Sequence, residues 1–264
     1  MTDQQRTPSI VREQHGRVVQ LRMNRPEMLN VLNEELAENM LSAFQDVATD
    51  RSVRVVMLTG AGRSFMAGGD LTCFKADLPG APKIAGRLID LFHGIMRSIK
   101  TMEKPVIAVV HGPVAGGGLG LALACDLIVA ADNTSFLSAY TKLGTTPDGG
   151  TSWSLTRLLG ARRALAFMLL NERMNASEAL ELGLVNHVVP LGELSTAALS
   201  LAESLAATCA AATAGVKRLT QTAQTGTFDQ QLDLEKSSFV DAAATADFAE
   251  GINAFFERRT PRFE

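Results

Sequence analysis

The feature that most constrains this chain is its alternation of apolar, β-branched segments with segments of helical period. Residues 16–24, "GRVVQLRMN", alternate Val19, Leu21 and Met23 on one face, as a half-buried strand does. "NEELAENMLSAFQDV" then sets Leu36, Met40, Phe44 and Val47 at helical spacing. "VRVVMLTG", "PVIAVVHG" and "DLIVAAD" are three further strands. Between the first two of these, Ile84, Leu88, Leu91, Ile95, Ile99 and Met102 form one helical stripe that ends before Pro105. Strands alternating with helices predict an α/β fold with largely parallel pairing. From about Leu194 onward the pattern is helical only, through "STAALSLAESLAATCAAATAGVKRLTQTAQ", "FDQQLDLEKSSFVDAAA" and "ADFAEGINAFFERR". We therefore expect a core over residues 1–200 and a helical region over 201–264 that packs on it. No low-complexity linker or repeat separates the two.

A length of 264 residues with 46% hydrophobic and 20% charged residues suits one large soluble domain. The net charge of −3 gives no electrostatic reason to bind nucleic acid or an acidic membrane. The polar start "MTDQQRTPSI" carries no signal segment. The longest apolar run, around residues 116–131, is interrupted by Asp126 and falls short of the roughly 20 apolar residues that span a bilayer. Cys73, Cys125 and Cys209 are odd in number, far apart and without metal-ligand spacing. They point to free thiols in a reducing cytoplasm and to no metal site.

Against this background, "HGPVAGGGLGLALACD" opens an apolar stretch with Gly116, Gly117 and Gly118. A glycine run marks a place where something approaches the main chain closely. Two readings stand side by side. The glycines form a tight strand-to-helix turn, or Gly117 begins a helix whose free N–H groups and dipole stabilise negative charge. The stretch lacks the Lys-Ser/Thr of a P-loop and the GxGxxG spacing of a dinucleotide fold. A second pair, Gly68 and Gly69 in "GRSFMAGGDL", follows another strand. Two such loops at the carboxyl ends of parallel strands can offer two N–H groups to one oxygen.

With "NRPEMLNVL", "KLGTTPDGG" and "NASEALELGLVNHVVP", these segments resemble the crotonase (enoyl-CoA hydratase/isomerase) superfamily, in order and over nearly the whole chain. The resemblance implies a crotonase-like spiral of ββα units with a C-terminal helical region serving oligomerisation and covering the site. It implies an acyl-CoA substrate, with coenzyme A part of that substrate and no separate cofactor, and a homotrimer or dimer of trimers. By motif position, the thioester oxygen lies between the N–H groups of Gly69 and Gly117. Ala67, Gly68, Asp70 and Leu71 are the loop expected to line the substrate.

The departures from the family pattern narrow the chemistry. Hydratases carry a glutamate where this chain has Gly120, and a second where it has Tyr140. Asp148, in "LGTTPDGGTSW", is the candidate acid/base; its alternative is to cap the helix that follows. The same loop position carries the working aspartate in isomerases resembling the epoxyphenylacetyl-CoA isomerase group and in 4-chlorobenzoyl-CoA dehalogenase-like enzymes. The C-terminal segment resembles the former. The expectation is therefore an acyl-CoA isomerase that shifts a double bond, or rearranges a strained ring, through a thioester enolate. One alternative is hydrolytic, a dehalogenase or thioesterase with Asp148 as nucleophile and His93 as base. Another is a hydratase or a non-catalytic acyl-CoA binder. Phe136 and Tyr140 are expected to line the acyl pocket, with core packing the alternative for both. Met28 stands where the family often places a basic residue, which leaves Arg25 or a C-terminal Lys or Arg to meet the phosphates.

Overall fold

The computed structural model describes residues 8–263. The first seven residues, most of the polar start in which no signal segment is expected, lie outside the described residues. Strands β1 (Ile10–His15) and β2 (Val18–Met23) lead into helix α1 (Glu34–Thr49), then β3 (Val55–Gly60), α2 (Leu71–Ala76) and α3 (Ala81–Thr101). Strand β4 (Val106–Val110), β5 (Pro113–Ala115), α4 (Gly117–Ala124), β6 (Leu127–Ala131) and β7 (Ser135–Leu137) follow. Next come α5 (Thr151–Leu159), α6 (Ala161–Leu170), β8 (Met174–Asn175), α7 (Ala176–Glu181) and β9 (His187–Val189). The chain ends in α8 (Leu194–Ala206), α9 (Ala210–Thr222), α10 (Phe228–Ala243) and α11 (Ala246–Glu257).

The larger sheet runs β1-β2-β3-β4-β6-β9. Only β1 is antiparallel in it, joined to β2 through Gly16 at φ 57°. A smaller sheet, β5-β7-β8, forms a second layer. Bridges Leu32–Gly69 and Met66–Val114 extend that layer toward the chain's start. Strands β2, β3, β4 and β6 are thus each followed by a short segment in the second layer, the turn of a ββα spiral, whereas β9 is followed by α8.

Alternation along the strands sorts their side chains onto two faces. Val56, Leu58, Val106, Ala108 and Val110 face the main core with α1, α3 and α4. Val18, Val55, Met57, Ile107, Val109 and Val129 face a second core. The second core is closed by Leu194, Ala198, Ala202 and Ala206, a four-residue repeat on α8. Small side chains let this helix lie close to the sheet, and residue 200 falls within it. The helical run expected through residues 195–224 is two helices, α8 and α9, bent by 104°. The bend carries Lys217 into the core, where its Nζ donates to Asp126 Oδ2 (2.7 Å), Ile99 O (2.8 Å) and Lys104 O (3.2 Å). Helix α10 has no buried residue and α11 has only Ala254, so Phe228, Phe239, Phe255 and Phe256 stand exposed. No single helix among the described residues is long and apolar enough to cross a membrane.

Candidate active site

The site grows from two loops locked in register. After β3 the chain turns over Asn30, which is fully buried and donates its Nδ2–H groups to Ala61 O, Ser64 O and Phe65 O. Ser64 Oγ donates to Pro113 O at 2.7 Å, tying this loop to β5. Met66 then pairs in parallel with Val114, and Ala115 N–H donates to Met66 O at 3.1 Å. Two residues further, Gly68 lies against Gly116. The contact is close, since a Cβ on Gly116 would lie 3.6 Å from Gly68 Cα.

The direction of both N–H groups follows from their peptides. Gly68 O accepts from Leu32 N–H at 2.8 Å, and the two polar groups of a trans peptide point oppositely. Gly69 N–H is therefore turned away from residue 32. Gly116 O accepts from Leu119 and Gly120 N–H, which turns Gly117 N–H outward from the start of α4. Among the described residues, neither Gly69 N–H nor Gly117 N–H donates to a protein acceptor. Two unpaired donors thus sit on adjacent chains, one of them at a helix N-terminus.

The three consecutive glycines serve three different needs. Gly116 adopts φ 52°, ψ −123°, a conformation open essentially to glycine alone. A Cβ on Gly118 would meet Met66 O at 2.1 Å, so there the close visitor is the protein's own backbone. At Gly117 the nearest atom to such a Cβ is Phe92 Cζ at 3.5 Å, an ordinary contact. The expectation that one visitor explains all three glycines is corrected accordingly.

Asp148 enters from the loop between β7 and α5. It does not cap that helix: the N-cap is Gly150, without a side-chain bond, and only Asp148 O accepts, from Thr151 N–H at 3.0 Å. Its carboxylate instead accepts from the Tyr140 hydroxyl, Oη to Oδ1 2.6 Å. Burial, then the Asp148 charge and this hydrogen bond, push the Tyr140 phenol above its usual range, so it stays protonated as the donor. The loop lies against α4 because position 120 has no side chain. A Cβ there would meet Thr151 Oγ1 at 2.6 Å, Gly149 O at 3.3 Å and Asp148 O at 3.7 Å. Phe92, on α3, fills the space between: its ring is nearest both to a Cβ on Gly117 and, at 2.4 Å, to one on Gly149. Phe92 was not singled out from sequence, although its spacing from Leu88 and Ile95 places it on the buried face of α3.

The other candidates have their own surroundings. His93, one residue from Phe92, lines a cavity of about 400 Å³ with Lys100, Trp153, Gln221 and the two glycines that follow Asp148, Gly149 and Gly150. Phe136 is 1% exposed in the main core, so it packs the scaffold rather than lining a pocket. Asp70 caps α2 through Thr72 N–H and pairs with Arg25 at 3.2 Å. Burial works against its charge, but the bonds from Thr72 and Arg25 prevail and hold the carboxyl below its usual range. Neither Asp70 nor Arg25 is therefore free to meet substrate through its charge, and Arg25 also bonds Val31 O. Ala67 is partly exposed, Gly68 is buried, and Leu71, at 50% exposure, opens α2 to solvent. Tyr140 is buried, with its hydroxyl directed at Asp148. Among the described residues no group of three or more His, Cys, Asp or Glu side chains is placed to share a metal ion.

Comparison with known proteins agrees with this architecture. Residues 13–264 match the Enoyl-CoA hydratase/isomerase family. The 1,2-epoxyphenylacetyl-CoA isomerase of Escherichia coli K12 is 37% identical over 93% of this chain and 94% of its own. A probable enoyl-CoA hydratase of Rhodobacter capsulatus is 33% identical over 91% of this chain and 92% of its own. The crystal structure of an enoyl-CoA hydratase from a Polaromonas species superposes with a TM-score of 0.93 and 38% identity. That alignment covers 97% of this chain and 99% of the other. Spiral fold, paired glycine loops and full-length similarity agree: the chain belongs to the enoyl-CoA hydratase/isomerase family of crotonase-fold enzymes.

Proposed function

We propose that this enzyme is an acyl-CoA isomerase in which Gly69 and Gly117 hold the thioester oxygen and Asp148 moves the proton. The observation that carries the proposal is the placement of Asp148: a carboxylate uninvolved in helix capping, on a loop packed against the helix that Gly117 begins. With a 3-enoyl thioester bound, Asp148 takes a proton from C2 and the electron pair of that C–H bond delocalises onto the thioester oxygen. The two N–H groups stabilise the resulting enolate; one such donor typically contributes about 3–4 kcal/mol to a transition state. Protonated Asp148 then delivers the proton to C4, and the double bond moves from C3–C4 to C2–C3. Nothing is gained or lost by the substrate. For a strained-ring substrate the same carboxylate and donors would serve ring opening.

Two observations favour isomerisation over hydration. Addition of water needs two acid/base groups over the double bond, and the family's two glutamate positions hold Gly120 and Tyr140. The space beside Gly120 is filled by Thr151. The hydrolytic alternative predicts release of halide or free CoA and would make His93 essential. The exposed phenylalanines of α10 and α11 support assembly of copies, as the trimer reading requires.

The test is a panel of 3-enoyl, 2-enoyl, epoxy-aryl and 4-halobenzoyl thioesters of CoA, with products separated by chromatography and identified by mass and by the ultraviolet absorbance of a conjugated thioester. We expect an isobaric product, with Asp148→Asn inactive and acyl-CoA affinity nearly unchanged. Full turnover by D148N, or release of halide or free CoA, would overturn the proposal.

A further inference from the structure

We infer that Tyr140 is a positioning residue: its hydroxyl fixes Asp148 Oδ1 and leaves Oδ2 as the one oxygen that exchanges the proton. This rests on the isomerase reading above and adds a residue to it. The hydroxyl is the Asp148 side chain's hydrogen-bond partner at 2.6 Å, and Tyr140 is buried, so that bond answers the phenol's own need for an acceptor.

Both ends of the pair are set by unusual backbone. Ala139, immediately before Tyr140, takes φ 67°, a left-handed conformation that a residue with a side chain rarely adopts. Gly149, immediately after Asp148, takes φ 55°, and a Cβ there would strike Phe92. Further support comes from the neighbours: Leu137 O accepts from Gly116 N–H at 3.1 Å, which ties the strand leading to Tyr140 to the glycine loop. The hydroxyl, the carboxylate and the Gly117 helix are thus mutually fixed.

The consequence is chemical. A carboxylate that is to remove a proton and then return it must present one oxygen at a constant distance from two carbons. A free carboxylate rotates about its Cβ–Cγ bond and exchanges its oxygens. A donor on Oδ1 removes that freedom. A phenol serves where a second carboxylate would not, since an ionised carboxylate has no hydrogen to donate and its like charge would repel Asp148.

Tyr140 is the single tyrosine of the chain, so biosynthetic 3-fluorotyrosine labels this hydroxyl alone. In the labelled full-length enzyme we expect one fluorine resonance, displaced in D148N, where the phenol loses its charged acceptor. Tyr140→Phe should lower kcat about tenfold and leave KM within about twofold. An inactive D148N with a Y140F variant of unchanged kcat, or a fluorine resonance that D148N leaves in place, would overturn this inference alone. A fully active D148N would overturn it together with the isomerase reading. Thermal midpoints of both variants separate these outcomes from loss of fold.

Discussion

Replacing Gly120 with alanine tests how the Asp148 loop is seated. The added Cβ would lie 2.6 Å from Thr151 Oγ1, about 0.8 Å inside the 3.4 Å at which ordinary contact begins. Thr151 is fully buried, is the first residue of α5, and its N–H donates to Asp148 O at 3.0 Å. Relief therefore requires a strained rotamer at Thr151 or a shift of the loop that bears Asp148. Overpacking of this kind costs about 1–3 kcal/mol. For a chain of this size the thermal midpoint should fall by roughly 2–10 °C. On the proposed isomerase chemistry, a loop shift of nearly an ångström misplaces the Asp148 carboxylate and should lower kcat by up to about 100-fold. Thr151→Ala removes the atom that collides, so the double variant G120A/T151A should regain both stability and turnover. The coupling between the two sites should be about 0.5–3 kcal/mol, read by thermal denaturation and by turnover of the best panel substrate. Wild-type behaviour of G120A, or a double variant no better than G120A, would refute the packing argument. Gly120→Glu should not create a hydratase, and water addition by that variant would refute it as well.

The remaining predictions concern the scaffold. Gly118→Ala places a methyl 2.1 Å from Met66 O, which is backbone and cannot turn aside, whereas Gly117→Ala makes only a 3.5 Å contact; thermal melts should show G118A strongly destabilised and G117A close to wild type. Lys217→Met removes the ammonium that donates to Asp126 Oδ2, Ile99 O and Lys104 O; urea denaturation should shift to lower concentration and α9 should become open to limited proteolysis. Cys125 is buried, and burial pushes its thiol up to about 12. It should therefore stay unreactive toward disulfide reagents at pH 8 while Cys73 and Cys209, both partly exposed, react. The sign of its pH dependence follows: above the ordinary thiol value of 9.0 the unfolded chain ionises and the folded one does not, so stability falls from there toward pH 12.

Much of the fold was legible because its signals are local. Leu36, Met40, Phe44 and Val47 are the buried face of α1, and the long stripe ending before Pro105 is α3. The short strands β5, β7 and β8 were not legible. Two or three residues carry no period, and their extended form is imposed by pairing across the second layer. The break between α8 and α9 was missed for a related reason. "AATC" is compatible with a continuing helix, and the bend is fixed by what each helix packs on, the sheet for Ala198 and Ala202 and the Asp126 carboxylate for Lys217.

Within the site, single residues were legible and their partners were not. Asp148, Tyr140 and Gly120 each stand out in the sequence as departures from the family, but the chain does not say that they are one departure. Without a side chain at 120, the start of α5 can close on α4; that approach carries the Asp148 loop inward; and the position opposite, freed of a carboxylate, holds a phenol that Asp148 can accept from without like-charge repulsion. Each change makes room for, or removes a penalty from, the next. A glutamate restored at position 120 would therefore meet Thr151, and one restored at position 140 would set a like charge beside Asp148.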